Sequence, residues 1–175
     1  YGIARDADGN LYIADTDNHV IRKIQNGVVS TFAGTPGVAD YLNGPKGNAK
    51  FNRPHGLVFD SIGNLYVTDS NNHVVRKIDS EGIVTRFAGN PGVPGSDDGT
   101  FGSGSFNYPA GMTIDASGNL YIAGNFNGSI RKIDVVGNVT TFAGSSNSHG
   151  YANGNRLSAR FNHPYDIKID PTTGN

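Results

Sequence analysis

The feature that most constrains this chain is that it repeats itself. The stretch DADGNLYIADTDNHVIRKI, Asp6 to Ile24, returns as DSIGNLYVTDSNNHVVRKI from Asp60 to Ile78 and as DASGNLYIAGNFNGSIRKI from Asp115 to Ile133. The copies start 54 and then 55 residues apart, and none contains a gap. Other landmarks keep the same period: TFAG, RFAG and TFAG end at Gly34, Gly89 and Gly144, and FNRP, FNYP and FNHP end at Pro54, Pro109 and Pro164. A fourth copy opens as YDIKIDPTTGN, Tyr165 to Asn175, which matches YGIARDADGN at the start of the chain with one inserted residue. Tandem units of this length bury their apolar faces against one another rather than singly.

Each unit reads as strands. After Pro54, Leu57 and Phe59 alternate with Val58, the turn Ser61-Ile62-Gly63-Asn64 follows, and LYVTD resumes the alternation. Turns at Ser70 to Asn72 and Asp79 to Gly82 lead into HVVRKI and IVTRFAG, and a long Gly/Pro-rich loop runs on to Phe106. Helical spacing is nowhere sustained. Four short strands at this period predict an all-β chain, a β-propeller of four-stranded antiparallel blades around a channel, with the first strand of each blade innermost. The expected blades span about 1–53, 54–108 and 109–163, with the first strand of a fourth at about 164–175.

Composition excludes several function classes. With 14 Lys+Arg against 15 Asp+Glu, the formal net charge of -1 gives no field to hold a polyanion or an anionic membrane, so neither nucleic acid nor membrane is expected as a partner. Cys is absent, which removes disulfides and thiolate metal sites. No apolar run reaches the roughly 18 residues of a membrane span.

The pattern FNxPxGxxxDxxGNLYxADxxNHxxRKI followed by GxVxTFAG resembles the NHL repeat, over three full copies plus a first strand. That resemblance implies a propeller, commonly six-bladed, used mostly as a binding platform. Some members of the family are enzymes, among them an amidating lyase with a metal in the channel, and some bind RNA. The Gly/Asn/Ser-rich blades are similar to those of bacterial secreted members, which implies the cell envelope or the exterior.

Positions filled alike in every copy are expected to serve the blade itself. Asp15 and Asp69 end second strands, where a carboxylate is placed to accept backbone N–H bonds from the following turn. In each Arg-Lys pair, Arg22-Lys23, Arg76-Lys77 and Arg131-Lys132, alternation sends one side chain toward a neighbouring blade and the other to solvent. DADGN at Asp6 to Asn10 resembles half of a calcium loop, but its equivalents keep one carboxylate each, and a plain hairpin is expected. Asp97-Asp98 adds a second acid in one copy only. His19 and His73 are repeat-equivalent and so lie apart in successive blades, which leaves no set of three or four converging zinc ligands; His149 is in a loop and His163 precedes a Pro. No GxSxG, HExxH or phosphate-binding Gly motif occurs. The sequons at Asn127 and Asn138 are about as many as chance gives in this composition and do not establish secretion.

Function is expected where the copies diverge on an exposed face. The residue after the Pro is His55, Ala110 and Tyr165, with Tyr1 in the same place at the start, and the next is Gly2, Gly56 and Gly111 but Asp166 in the last copy. Tyr1, His55, Tyr165 and Asp166 are therefore the candidate ligand-binding residues at the channel mouth, and Phe126, in place of the polar turn residue of the other copies, is a candidate partner contact. The expected function is a non-catalytic binding or scaffolding module for a protein, peptide or glycan, with no cofactor. The alternatives are a lyase- or lactonase-type propeller enzyme with a divalent metal such as calcium or zinc in the channel, and a structural unit that self-assembles. Three blades are fewer than the about 4 to 8 that close a ring. A piece of a longer chain, or a homo-oligomer that completes the ring, is the expectation from length.

Overall fold

The computed structural model describes residues 1–146 and 148–170. These form three antiparallel sheets in chain order. The first comprises β1 (Ile3–Arg5), β2 (Leu11–Asp15), β3 (Val20–Gln25) and β4 (Val28–Ala33); the second β5 (Gly44–Pro45), β6 (Pro54–Phe59), β7 (Leu65–Asp69), β8 (Val74–Ile78) and β9 (Ile83–Gly89); the third β10 (Pro109–Ile114), β11 (Leu120–Gly124), β12 (Ser129–Ile133) and β13 (Val139–Gly144). Within each sheet the strands meander, and the sheets are blades of an NHL-type β-propeller.

Each blade is held by devices written into the repeat. Between β6 and β7, Asp60 Oδ1 accepts the Asn64 backbone N–H at 2.8 Å, Oδ2 accepts the Asn64 side-chain amide at 2.6 Å, and Gly63 turns at φ +89°. Asp6 with Asn10 and Asp115 with Asn119 close the other two first hairpins in the same way. DADGN is thus a hairpin clasp whose carboxylate is engaged by its own turn. Under each fourth strand, Phe51 and Phe106 are fully buried against Gly34 and Gly89. A Cβ on Gly89 would lie 2.6 Å from the His73 carbonyl and 3.0 Å from the Phe106 ring, so only glycine fits there.

The second blade has five strands rather than the expected four. The long loop of the first repeat crosses to the second blade and adds β5 to its outer edge, pairing Gly44 with Val84 and Pro45 with Ile83. The loop of the second repeat does the same to the third blade through a Gly99–Val139 bridge. This covering decides burial: Val84 and Val139 are 0% and 1% exposed, whereas the equivalent Val29, which no strand covers among the described residues, is 53% exposed.

The same loops satisfy the repeated arginines. Arg76 is fully buried; it donates to the Leu42 and Lys50 carbonyls of the preceding loop at 2.9 and 3.1 Å, to Asn43 Oδ1 at 2.8 Å, and to Asp69 Oδ2 at 2.8 Å. Arg131 reaches the Ser96 and Asp97 carbonyls at 2.6 and 2.8 Å and pairs with Asp98 at 3.0 Å, which accounts for the extra acid of that copy. Asp15 and Asp69 differ from expectation. Asp69 accepts the Asn52 backbone N–H at 2.7 Å and the Asn72 side-chain amide at 2.8 Å, and Asp15 accepts the Asn18 side-chain amide at 2.9 Å. The turns after them are single 3-10 turns whose N–H groups go elsewhere: His19 and His73 N–H donate to the Thr16 and Ser70 carbonyls, and Ser70 and Asn71 N–H to the Arg53 and Asn52 carbonyls at 3.3 and 3.0 Å. The carboxylates are left for side chains and, in Asp69, for the loop that enters its blade.

The innermost strands of adjacent blades approach backbone to backbone. Gly2 N–H donates to the His55 carbonyl at 2.8 Å, and Gly111 N–H to the Tyr165 carbonyl at 2.9 Å. Between them, Thr68 Oγ1 accepts from Gly56 N–H and donates to the Ala110 carbonyl, both at 2.7 Å. A Cβ on Gly56 would sit 2.6 Å from that carbonyl, so glycine at this position is a condition of stacking the second blade on the third. Residues 164–170 continue this contact without a ladder of their own.

Candidate cleft at the channel mouth

One end of the blades is built from two kinds of position: the residues flanking each Pro at the start of the first strand, and the 3-10 turns Thr16–Asn18, Ser70–Asn72 and Asn125–Asn127 that follow each second strand. The turns are fastened to the next blade. Thr16 Oγ1 donates to the Pro54 carbonyl at 2.7 Å and Ser70 Oγ to the Pro109 carbonyl at 2.6 Å. His19 and His73 close their turns in the left-handed region, at φ 59° and 58°. Their Nδ1 atoms accept the Arg53 and Tyr108 backbone N–H groups at 3.1 and 3.2 Å. The repeated histidines are therefore inter-blade acceptors. In the third copy Gly128 takes their place, and the His149 ring lies over it, 3.1 Å from where a Cβ would be.

This framework brings three of the sequence candidates together from three different repeats. The Tyr1 ring stacks on His55 with centroids 4.9 Å apart and planes 7° apart, and Tyr165 meets His55 edge-on at 4.7 Å. Asp166, the fourth candidate, faces Gly111 and lies 3.6 Å from Lys168 Nζ, bordering the adjoining cavity rather than the main cleft. Phe126 packs on Tyr108 at 4.7 Å and meets His163 edge-on at 5.3 Å, and remains half-exposed.

A cleft of about 340 Å³ is lined by two aromatic groups, Tyr1 with His55 and Tyr165, and Tyr108 with Phe126, together with Ala110, Ser70, Asn71 and Asn125. Sequence reasoning left Tyr108 and Arg53 out of the site. Their signal is the non-glycine residue before each Pro, held at φ 55° in Arg53, 51° in Tyr108 and 51° in His163, which turns these side chains onto the exposed end.

Electrostatically the cleft is close to neutral. Burial, helped by the positive N-terminal amine and Arg53 and opposed by Asp166, pushes His55 down to about 4, so its imidazole is uncharged at neutral pH. Neither ring nitrogen has a hydrogen-bond partner among the described residues. Of the cations in the lining, Arg53 is held by Asp17 at 2.8 Å and the Tyr1 amine donates to the Ala14 carbonyl at 2.9 Å. A divalent metal needs several converging donors. Among the described residues no three His, Asp or Glu side chains come together, and the His55 imidazole is flanked by two tyrosine rings.

The NHL repeat profile matches residues 51–78. NHL repeat-containing protein 2 of Homo sapiens is 30% identical over 138 residues, 71% of this chain and 19% of its own length. A probable peptidyl-alpha-hydroxyglycine alpha-amidating lyase of Caenorhabditis elegans is 33% identical over 95 residues, 53% of this chain and 26% of its own length. The chain thus spans about a quarter or less of these curated relatives. Among solved structures, a protein of unknown function from Bacteroides thetaiotaomicron superposes with a TM-score of 0.77 at 28% identity, covering 95% of this chain and 41% of that one. Repeat pattern, blade topology and these likenesses agree, and the chain belongs to the NHL-repeat family.

Proposed function

We propose that this segment is a binding platform, half of a six-bladed ring, that presents the channel-mouth cleft to a protein, peptide or glycan partner. The observation that carries this reading is the convergence of Tyr1, His55 and Tyr165, together with Tyr108 and Phe126, on one cleft. The repeat-conserved residues are consumed by blade geometry, whereas these five vary from copy to copy and stay partly exposed or unpaired. Proton–nitrogen correlation spectra recorded with mixed pools of neutral oligosaccharides and short peptides test it. Shifts gathered at His55, Tyr108, Ala110 and Phe126 are expected; shifts confined to other faces, or none, contradict the platform. The lyase relative suggests a metal-dependent reading, but the donor set of these blades does not favour it.

A second reading rests on the bare outer edge of β4. Val28 and Val29 are 66% and 53% exposed there, and Gly154, at the position of Gly44 and Gly99, belongs to a loop folded like theirs, with Ala152 bridged to Arg160 as Leu42 is to Lys50. A second copy can supply this fifth strand. Light scattering on the 175-residue chain is expected to show concentration-dependent dimers that Val29→Lys abolishes; a monomer at every concentration overturns the reading.

A further inference from the structure

We infer that the cleft takes an uncharged saccharide unit, bound by its apolar C–H face against an aromatic wall and by its hydroxyls at the edge of His55. The inference rests on the platform reading and specifies its ligand class.

The walls supply the first part. Tyr108 and Phe126 in one group and Tyr1 and Tyr165 in the other are between 37% and 69% exposed, so their rings are not consumed by the core. Nor does the fold ask for rings there. The position of Tyr108 holds Arg53 and His163 in the other copies, and that of Phe126 holds Asp17 and Asn71. Partly exposed aromatic rings gathered around one cleft accept a flat, weakly polar ring.

The polar groups supply the second part. Among the described residues no carboxylate lines the cleft, and its cations are already engaged, Arg53 by Asp17 and the Tyr1 amine by the Ala14 carbonyl, so neither a cationic nor an anionic ligand gains much. His55 is more than nine-tenths buried, and both of its ring nitrogens lack partners among the described residues. A neutral imidazole offers one N–H donor and one acceptor, and a buried group with neither satisfied is costly to the free protein. A hydroxyl both donates and accepts, so it can serve whichever His55 nitrogen it reaches, as acceptor or as donor, once the Tyr1 ring, the most exposed of the cover, swings from its stacked position. Asn71 and Asn125 place amide groups in the same lining. A peptide is disfavoured because most of the lining comes from turns and pre-Pro loop residues, which offer no ladder edge for an extended chain to join.

The experiment titrates the chain separately with cellobiose, lactose and N,N′-diacetylchitobiose, and with a pool of uncharged hexapeptides, following proton–nitrogen spectra. Saturable shifts at His55, Tyr108 and Phe126 with at least one disaccharide are expected. Phe126→Ala, at a half-exposed position, should weaken that binding about tenfold by removing one stacking face. His55→Phe, which keeps the ring packing and removes both nitrogens, should weaken it by a similar factor, about tenfold. Tyr151→Ala, an exposed ring outside the cleft, should leave it unchanged. Peptide shifts at the cleft with no disaccharide response would overturn the saccharide class and leave the platform standing. No response at the cleft to either probe would overturn both. Disaccharide binding indifferent to both cleft variants would overturn the site.

Discussion

At the scale of single residues, the largest energies sit where one side chain answers for another. Arg76 and Asp69 are both fully buried, and burial pushes the Asp69 carboxyl up to about 6 against the opposing pull of Arg76, the Asn72 amide and the Asn52 N–H. Removing the arginine leaves that carboxylate and several loop carbonyls unanswered, so Arg76→Ala should destabilise the chain by about 3–5 kcal/mol in urea unfolding. Arg22→Ala, at the equivalent position without a covering loop, should cost about 1 kcal/mol or less. His55 gives a pH signature of definite sign. Its folded pKa of about 4 lies below the ordinary 6.5, so its contribution is fully present above 6.5 and is lost as pH falls through 4. Asp69, with its raised value, runs the other way: its contribution is full below the ordinary carboxylate pKa and lost as pH rises through about 6. The two are separated by difference. Between pH 6.5 and 4, wild type should lose about 1–2 kcal/mol relative to His55→Phe, allowing for solvent screening at the cleft. A pH-independent difference would mean that the imidazole titrates normally.

At the scale of the element, the 3-10 turn and the innermost strand decide how blades meet. Because His73 caps its turn at φ 58° and the third copy uses Gly128 at φ 63°, His73→Gly should cost about 1 kcal/mol, the worth of its bond to Tyr108 N–H. His73→Val adds left-handed strain for a β-branched residue and should cost roughly 1–3 kcal/mol more. Gly56→Ala drives a methyl into the Ala110 carbonyl of the next blade and should destabilise by several kcal/mol, ~2–4, read from thermal or urea unfolding. Gly63→Ala, in an open hairpin turn with nothing near its Cβ, tests the conformational term alone and should cost less, about 1–2 kcal/mol. Most of these elements are legible in the sequence, because DxxGN, the xPxG glycine and the Arg-Lys alternation recur and each recurrence is local. The fifth strand was not. Gly44-Pro45 has no strand pattern of its own, and its pairing depends on a neighbouring blade that local alternation does not describe. The partners of Asp69 were hidden for the same reason, since Asn52 reaches it from the loop that enters the blade.

At the scale of the whole molecule, function is placed by the period. A residue repeated at about 55 positions returns to the same rim, so side chains far apart in sequence become neighbours around the channel mouth. That much could be read from the letters, and it brings Tyr1, His55 and Tyr165 to one spot. It did not reveal the second aromatic group, because Tyr108 reaches the cleft only through its left-handed backbone. Asp166, grouped with the cleft by its position after Tyr165, instead borders the adjoining cavity, where its carboxylate lies against Gly111 and 3.6 Å from Lys168 Nζ. The central claim is that successive repeats stack so closely that these rings touch. Nuclear Overhauser spectra of protein labelled on its His and Tyr rings test it most directly, with His55→Phe identifying the His55 signals. Centroid separations of 4.9 and 4.7 Å predict strong cross-peaks from the His55 ring to both Tyr1 and Tyr165. A folded protein in which His55 shows no contact with either tyrosine would contradict the blade stacking and the cleft built on it.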